Sequence, residues 1–193
     1  PIYRRTGRPA NKKWTSFVWG PMMNMLKKMI KIIDAISERT GRIVGWIAAP
    51  MIIALIYEVF ARYVFHRPTI WSYEITYMIY GTHFLLGAAY TLRVKGHIRI
   101  DLLYMRFPLR GRALIDVIGY LVIFFPVMII LVIASYDMAK DAYMIKEVSQ
   151  FTPWQPILWP FKGVICVGFS LLILQGVAEF TRSVITLIRG EEI

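Results

Sequence analysis

Cysteine is nearly missing from this 193-residue chain: Cys166 is the only one, and it sits in an apolar run. One cysteine excludes an intramolecular disulfide and any cysteine-based zinc or iron–sulfur site. Histidine is scarce too, with only His66, His83 and His97. A haem held by two histidines needs a pair at one membrane depth on facing helices. Acidic residues number 12 against 23 Lys and Arg, and all charged residues together make up only 18% of the chain. There is no Gly-rich phosphate loop, no nucleophile elbow and no metal-spaced cluster of His, Cys or Asp. These gaps leave no recognisable catalytic centre and no cofactor site, so the chain is not expected to be an enzyme.

What is abundant is apolar sequence. Hydrophobic residues make up 57% of the chain and aromatics 15%, more than a soluble domain of this length could hide. The composition predicts an all-α integral membrane protein. Four runs have the length and hydropathy of transmembrane helices, at about 43–65, 71–94, 113–136 and 161–187 in a membrane domain of residues 41–190. In the first, Gly41, Gly45 and Ala49 recur every four residues, a spacing that lets another helix approach closely, and Pro50 is expected to kink the helix. Pro126 is expected to bend the third. The stretch FTPWQPILWP before the fourth, with Trp154 and Trp159, suits an irregular segment at a lipid–water interface.

The N-terminal region differs in kind. Residues 1–16 are basic, broken by Pro and Gly, and read as a disordered cytoplasmic tail retained in the protein, since no signal-peptide core precedes Lys27. Residues 17–40 have helical periodicity, with Met22, Met25, Leu26, Met29, Ile33 and Ile36 on one face and Asn24, Lys27, Lys28, Lys31, Asp34 and Glu38 on the other. This predicts an amphipathic arm lying in the interface, with Lys27, Lys28 and Lys31 toward lipid phosphates. The apolar surroundings make a membrane the partner of this basic region and exclude nucleic acid.

Charge asymmetry sets the orientation. Residues 1–42 hold ten Lys and Arg against Asp34 and Glu38, and the segment Arg93–Arg112 holds six; between the third and fourth runs, Lys140 and Lys146 are outnumbered by Asp137, Asp141 and Glu147. The positive-inside rule puts both termini and the second loop in the cytoplasm, which four spans require.

Charges inside the runs are the functional candidates. Glu58 and Arg62 have the spacing of a pair on one helix face, and the short HRPTI turn brings Glu74 alongside. A Glu58–Arg62–Glu74 cluster pinning the first two spans is the expected arrangement. Asp116 and Glu179 lie near helix ends with Arg112 and Arg182 close in sequence, and are expected to be structural. His83 is expected to bond a neighbouring helix. A proton or ion relay would need a matching column of polar groups, which the other spans do not supply.

The stretch WSYE at Trp71–Glu74, the run FLLGAAYTLRVKGHIRID at Phe84–Asp101, and Glu147–Gln175 with TPWQPILWPFK and LLILQG resemble the small membrane (Q) subunit of tripartite ATP-independent periplasmic (TRAP) transporters, over roughly residues 40–188. The resemblance implies a bacterial or archaeal inner-membrane complex. In it a large membrane (M) subunit carries the substrate and sodium sites and moves as an elevator. A periplasmic substrate-binding protein delivers an organic acid. The small subunit, four spans and an arm, would brace the large one without binding substrate. Trp71, Glu74, Gly87, Arg93, His97 and Asp101 fall in the matching stretches and become candidates for structural or subunit-interface roles. Arg93, His97 and Asp101, four residues apart, could lock the cytoplasmic end of the second span. Two other readings of the same composition are the membrane anchor of a redox enzyme and a stand-alone channel or exporter.

Overall fold

The computed structural model describes residues 12–94, 96 and 107–190, with side chains from Met23 onward. The described residues form an all-α fold: α1 (Lys12–Tyr63), α2 (Ser72–Arg93), α3 (Leu109–Gly119), a π-helical turn (Tyr120–Phe124), α4 (Phe125–Met144) and α5 (Trp159–Arg189). Helix α5 is the hub; α1, α2, α3 and α4 all pack on it, and α1 also packs along α2.

Polarity is turned inside out relative to a soluble bundle. The largest fully buried side chains are Gln175, Glu74, Ser37, Ser72 and Ser149, and the apolar core consists largely of alanines such as Ala89, Ala142 and Ala178. Ile53, Phe60, Phe84, Ile123, Ile130 and many other large apolar residues face outward. Hydrocarbon gives apolar side chains no reason to turn inward, so small residues at the contacts and hydrogen bonds between helices hold such a bundle.

Among the described residues, three helical stretches are long and apolar enough to cross a membrane: Met23–Tyr63, Leu109–Met144 and Trp159–Arg189. Four were expected. Helix α2, at 22 residues, has the reach to cross a hydrocarbon layer of about 30 Å. Its hydropathy is diluted by Tyr73, Glu74, Thr76, Tyr77, Tyr80, Thr82 and His83, and it lies between α1 and α5.

The arm and the first span, expected as separate pieces, are one helix of 52 residues that runs unbroken through Gly41 and Pro50. Met23, Ile30, Ser37 and Val44, seven apart, are all buried, the period of a helix following its neighbour in a left-handed seam. Residues 23–44 of α1 are therefore packed on the bundle along that seam. Two faces stay open: Met25, Met29, Ile32 and Ile36 form an exposed apolar one, and Lys27, Lys28, Lys31, Arg39 and Arg42 an exposed basic one.

Glycines at close approaches explain two contacts. A Cβ at Gly41 would overlap the Tyr90 ring, and one at Gly176 would overlap the Phe124 ring; Gly45, by contrast, faces open space. Phe124 belongs to the π turn just before Pro126. Proline has no N–H for the carbonyl one turn back and its ring crowds that carbonyl, so the helix widens there.

Candidate functional site

Three polar clusters lie within the bundle. The largest sits where α1, α2 and α5 meet. Gln175, 0% exposed, projects from α5 in the middle of the apolar run LLILQG. Its carbonyl accepts a hydrogen bond from Ser37 Oγ at 2.7 Å, and its amide donates to Asp34 Oδ1 at 3.1 Å and Glu179 Oε1 at 3.4 Å. Arg182, two turns beyond Gln175 along α5, bridges Asp34 and Glu179. From α2, Arg93 lies 3.0 Å from Glu38 and 4.0 Å from Asp34, and Glu38 also pairs with Arg42 at 3.1 Å. Three carboxylates and three guanidiniums thus share one knot. Buried charges are tolerable only when paired and hydrogen-bonded, and Asp34, Glu179 and Arg182 are both, while Glu38 and Arg42 lie at the exposed edge of the knot.

Arg93, expected to lock the end of α2 with His97 and Asp101, reaches across to Glu38 and Asp34 of α1. His97 and Asp101, its expected companions, lie outside the described residues. Sequence reasoning put Asp34 and Glu38 on a solvated face and missed Gln175 and Ser37. Two signals were present: a lone amide in an apolar run, and a serine on the seven-residue seam.

The second cluster joins the far end of α1 to the start of α2. Glu58 Oε1 accepts from Arg62 Nε at 3.0 Å and Nη2 at 2.5 Å. Its other oxygen accepts from the Thr69 backbone N–H at 3.1 Å and from the Thr69 hydroxyl. Ser72 donates from its own backbone to Thr69 Oγ1 at 3.3 Å. Trp71 stacks on Tyr57 with ring centroids 5.9 Å apart. One carboxylate therefore holds its own helix, the turn and the next helix together.

Glu74 is not part of that cluster, contrary to expectation. It is 0% exposed and turned to the opposite side of α2, toward the loop between α4 and α5. Ser149 Oγ donates to its Oε1 at 2.5 Å and Thr152 Oγ1 at 3.2 Å, and its Oε2 has no partner among the described residues. The short turn brings Glu74 near Glu58 in sequence, but helical phase points the two side chains apart. The loop is a tight hairpin: Ser149 N–H bonds the Pro156 carbonyl and Leu158 N–H the Glu147 carbonyl, both at 2.9 Å, while Lys162 pairs with Glu147 at 2.5 Å. Trp154 is partly exposed on it, and Trp159, the first residue of α5, is partly exposed and meets Tyr143 edge to face.

His83 Nδ1 lies 3.0 Å from the Val44 carbonyl of α1. A carbonyl only accepts, so Nδ1 carries the proton and the ring stitches two helices. A Cβ added at Gly87 would lie 4.0 Å from the Val44 side chain across the same contact. Lys27, Lys28 and Lys31 are exposed on α1. No group of three or more His, Cys, Asp or Glu able to hold a metal occurs among the described residues.

Chemically, the clusters join helices. The inner knot ties three of them through mutual charge, the second binds a turn, and the third seats a loop.

Comparison with curated proteins gave no match. Residues 51–186 match the family of tripartite ATP-independent periplasmic transporters, DctQ component. That stretch holds the second and third clusters whole and the α2 and α5 sides of the inner knot. It covers more than half of the chain, which therefore belongs to the DctQ family, the small membrane component of these three-part transporters.

Proposed function

We propose that the chain is the static brace of a sodium-coupled transporter for an organic acid, working beside a large elevator-type membrane subunit and a periplasmic substrate-binding protein. One observation carries this reading: Asp34, Glu38, Glu58 and Glu179 each accept from donor groups of the protein, and Glu74 is held through one oxygen by Ser149 and Thr152. A side chain that must release and rebind a cation or an acid during each cycle is poorly served by such partners. A part that moves against another needs a wall that stays fixed, and charge-locked helices supply one. Basic residues at the start of α1 favour a cytoplasmic N-terminus in a bacterial inner membrane, and an α2 that crosses returns the C-terminus to the same side.

The test is sodium-driven uptake in reconstituted vesicles containing the large subunit and binding protein, with and without this chain. Uptake should fall severely without it. Full-rate uptake by the large subunit alone would sink the proposal.

A further inference from the structure

Between α1 and α2, at the basic end of the bundle, lies a cavity of about 460 Å³ lined by Glu38, Gly41, Arg42, Gly45, Trp46 and Tyr90. Its lining advances along α1 by helical turns, so it runs about 12 Å along the axis. Polarity changes over that distance. Glu38 and Arg42 stand at one end; Gly45, Trp46 and the Tyr90 ring form the other. A side chain added at Gly45 would meet nothing within 4 Å, so the floor is open.

The charges at the polar end are unequally committed. Glu38 has a guanidinium on each oxygen, from Arg42 at 3.1 Å and Arg93 at 3.0 Å. Arg42 uses Nη2 for this contact, its side chain is 74% exposed, and a guanidinium has five N–H donors. Lys27, Lys28, Lys31 and Arg39 continue the same exposed face toward the N-terminus, with no carboxylate partner among the described residues. At the apolar end, Trp46 is 76% exposed.

We propose that this groove binds an anionic glycerophospholipid, with its phosphate on Arg42 and an acyl chain along Gly45 toward Trp46. A cation with donors to spare next to an open apolar trough matches an amphiphile in both charge and order. A basic stretch at a membrane surface attracts anionic lipid, by about five-fold for each Lys or Arg near the surface. A partner's helix would instead find a guanidinium in the path of its apolar face. The reading does not depend on whether the chain acts as a brace, because it is tested on the full chain alone.

The experiment is native mass spectrometry of the full chain in detergent, titrated separately with phosphatidylglycerol and phosphatidylcholine. One equivalent of phosphatidylglycerol should be retained in preference to phosphatidylcholine. Arg42→Gln should weaken retention about five-fold. Gly45→Leu, which fills the trough without touching charge, should weaken it at least as much. Circular dichroism and a monodisperse elution establish that each variant is folded. Should Arg42→Gln fail to fold, Gly45→Leu decides alone. Equal retention of the two lipids, or wild-type retention in folded Gly45→Leu, would overturn the proposal. So would a Gly45→Leu variant that keeps its lipid but no longer co-purifies with the large membrane subunit, since the groove would then be a protein seat.

Discussion

The two ends of the bundle are held by different means. At the basic end, the contacts join residues 138 to 148 positions apart, Ser37 to Gln175 and Asp34 to Arg182, and three helices depend on one another's charges. At the opposite end, Glu58 is held by Arg62 and Thr69, only 4 and 11 positions away. Glu74 there rests on two hydroxyls 75 and 78 positions away, with no cation in contact among the described residues. A shared knot fails as a whole when one member is lost, whereas separate stitches fail singly. The basic end should therefore respond more sharply to single substitutions.

The largest effect is expected from Arg182→Gln, which leaves Asp34 and Glu179 without their common cation. The loss should be about 3 kcal/mol, read as a large fall in thermal midpoint in detergent. A fall no greater than that of the outer-end variants would erase the contrast. Gly41→Leu comes next, because the new side chain must displace the Tyr90 ring; overpacking of this kind costs about 2 kcal/mol. Gly45→Leu, four residues on in the same helix, should leave the midpoint unchanged, and equal effects at both positions would refute the close approach of Tyr90. Glu58→Leu removes hydrogen bonds to the turn and should cost about 1–2 kcal/mol. It should lower the yield of assembled complex without altering substrate selectivity in uptake assays, and changed selectivity at normal assembly would contradict the brace. The smallest effect belongs to Glu74→Gln. Its carbonyl oxygen still accepts from Ser149 and Thr152, so the midpoint should shift little; a drop matching that of Arg182→Gln would show that the negative charge itself is needed there.

Sequence carried the parts of this structure that depend on neighbours along the chain. Apolar runs located the helices because hydropathy is a local property, and Glu58–Arg62 was legible because a spacing of four fixes one helix face. What could not be read depends on which faces meet. Asp34 looked solvated until α5 supplied Arg182, and Glu74 looked tied to Glu58 until the α4–α5 loop supplied Ser149. The continuity of α1 was hidden for another reason. A change from basic to apolar composition near Gly41 resembles a boundary, yet helical hydrogen bonding is indifferent to what the side chains face. Helix α2 shows the converse: its span was read from length, while its tyrosines and Glu74 give it a polarity suited to a place between two other helices.

The π turn at Tyr120–Phe124 has a consequence for the whole third span. Accommodating one extra residue in a turn advances the helical phase by about 100°. The spiral of α4 is thus offset by that angle from the one that α3 begins. Deleting one residue within the turn would restore a regular spiral and rotate Ser135 and Ala142, both buried in α4, away from the places they now fill.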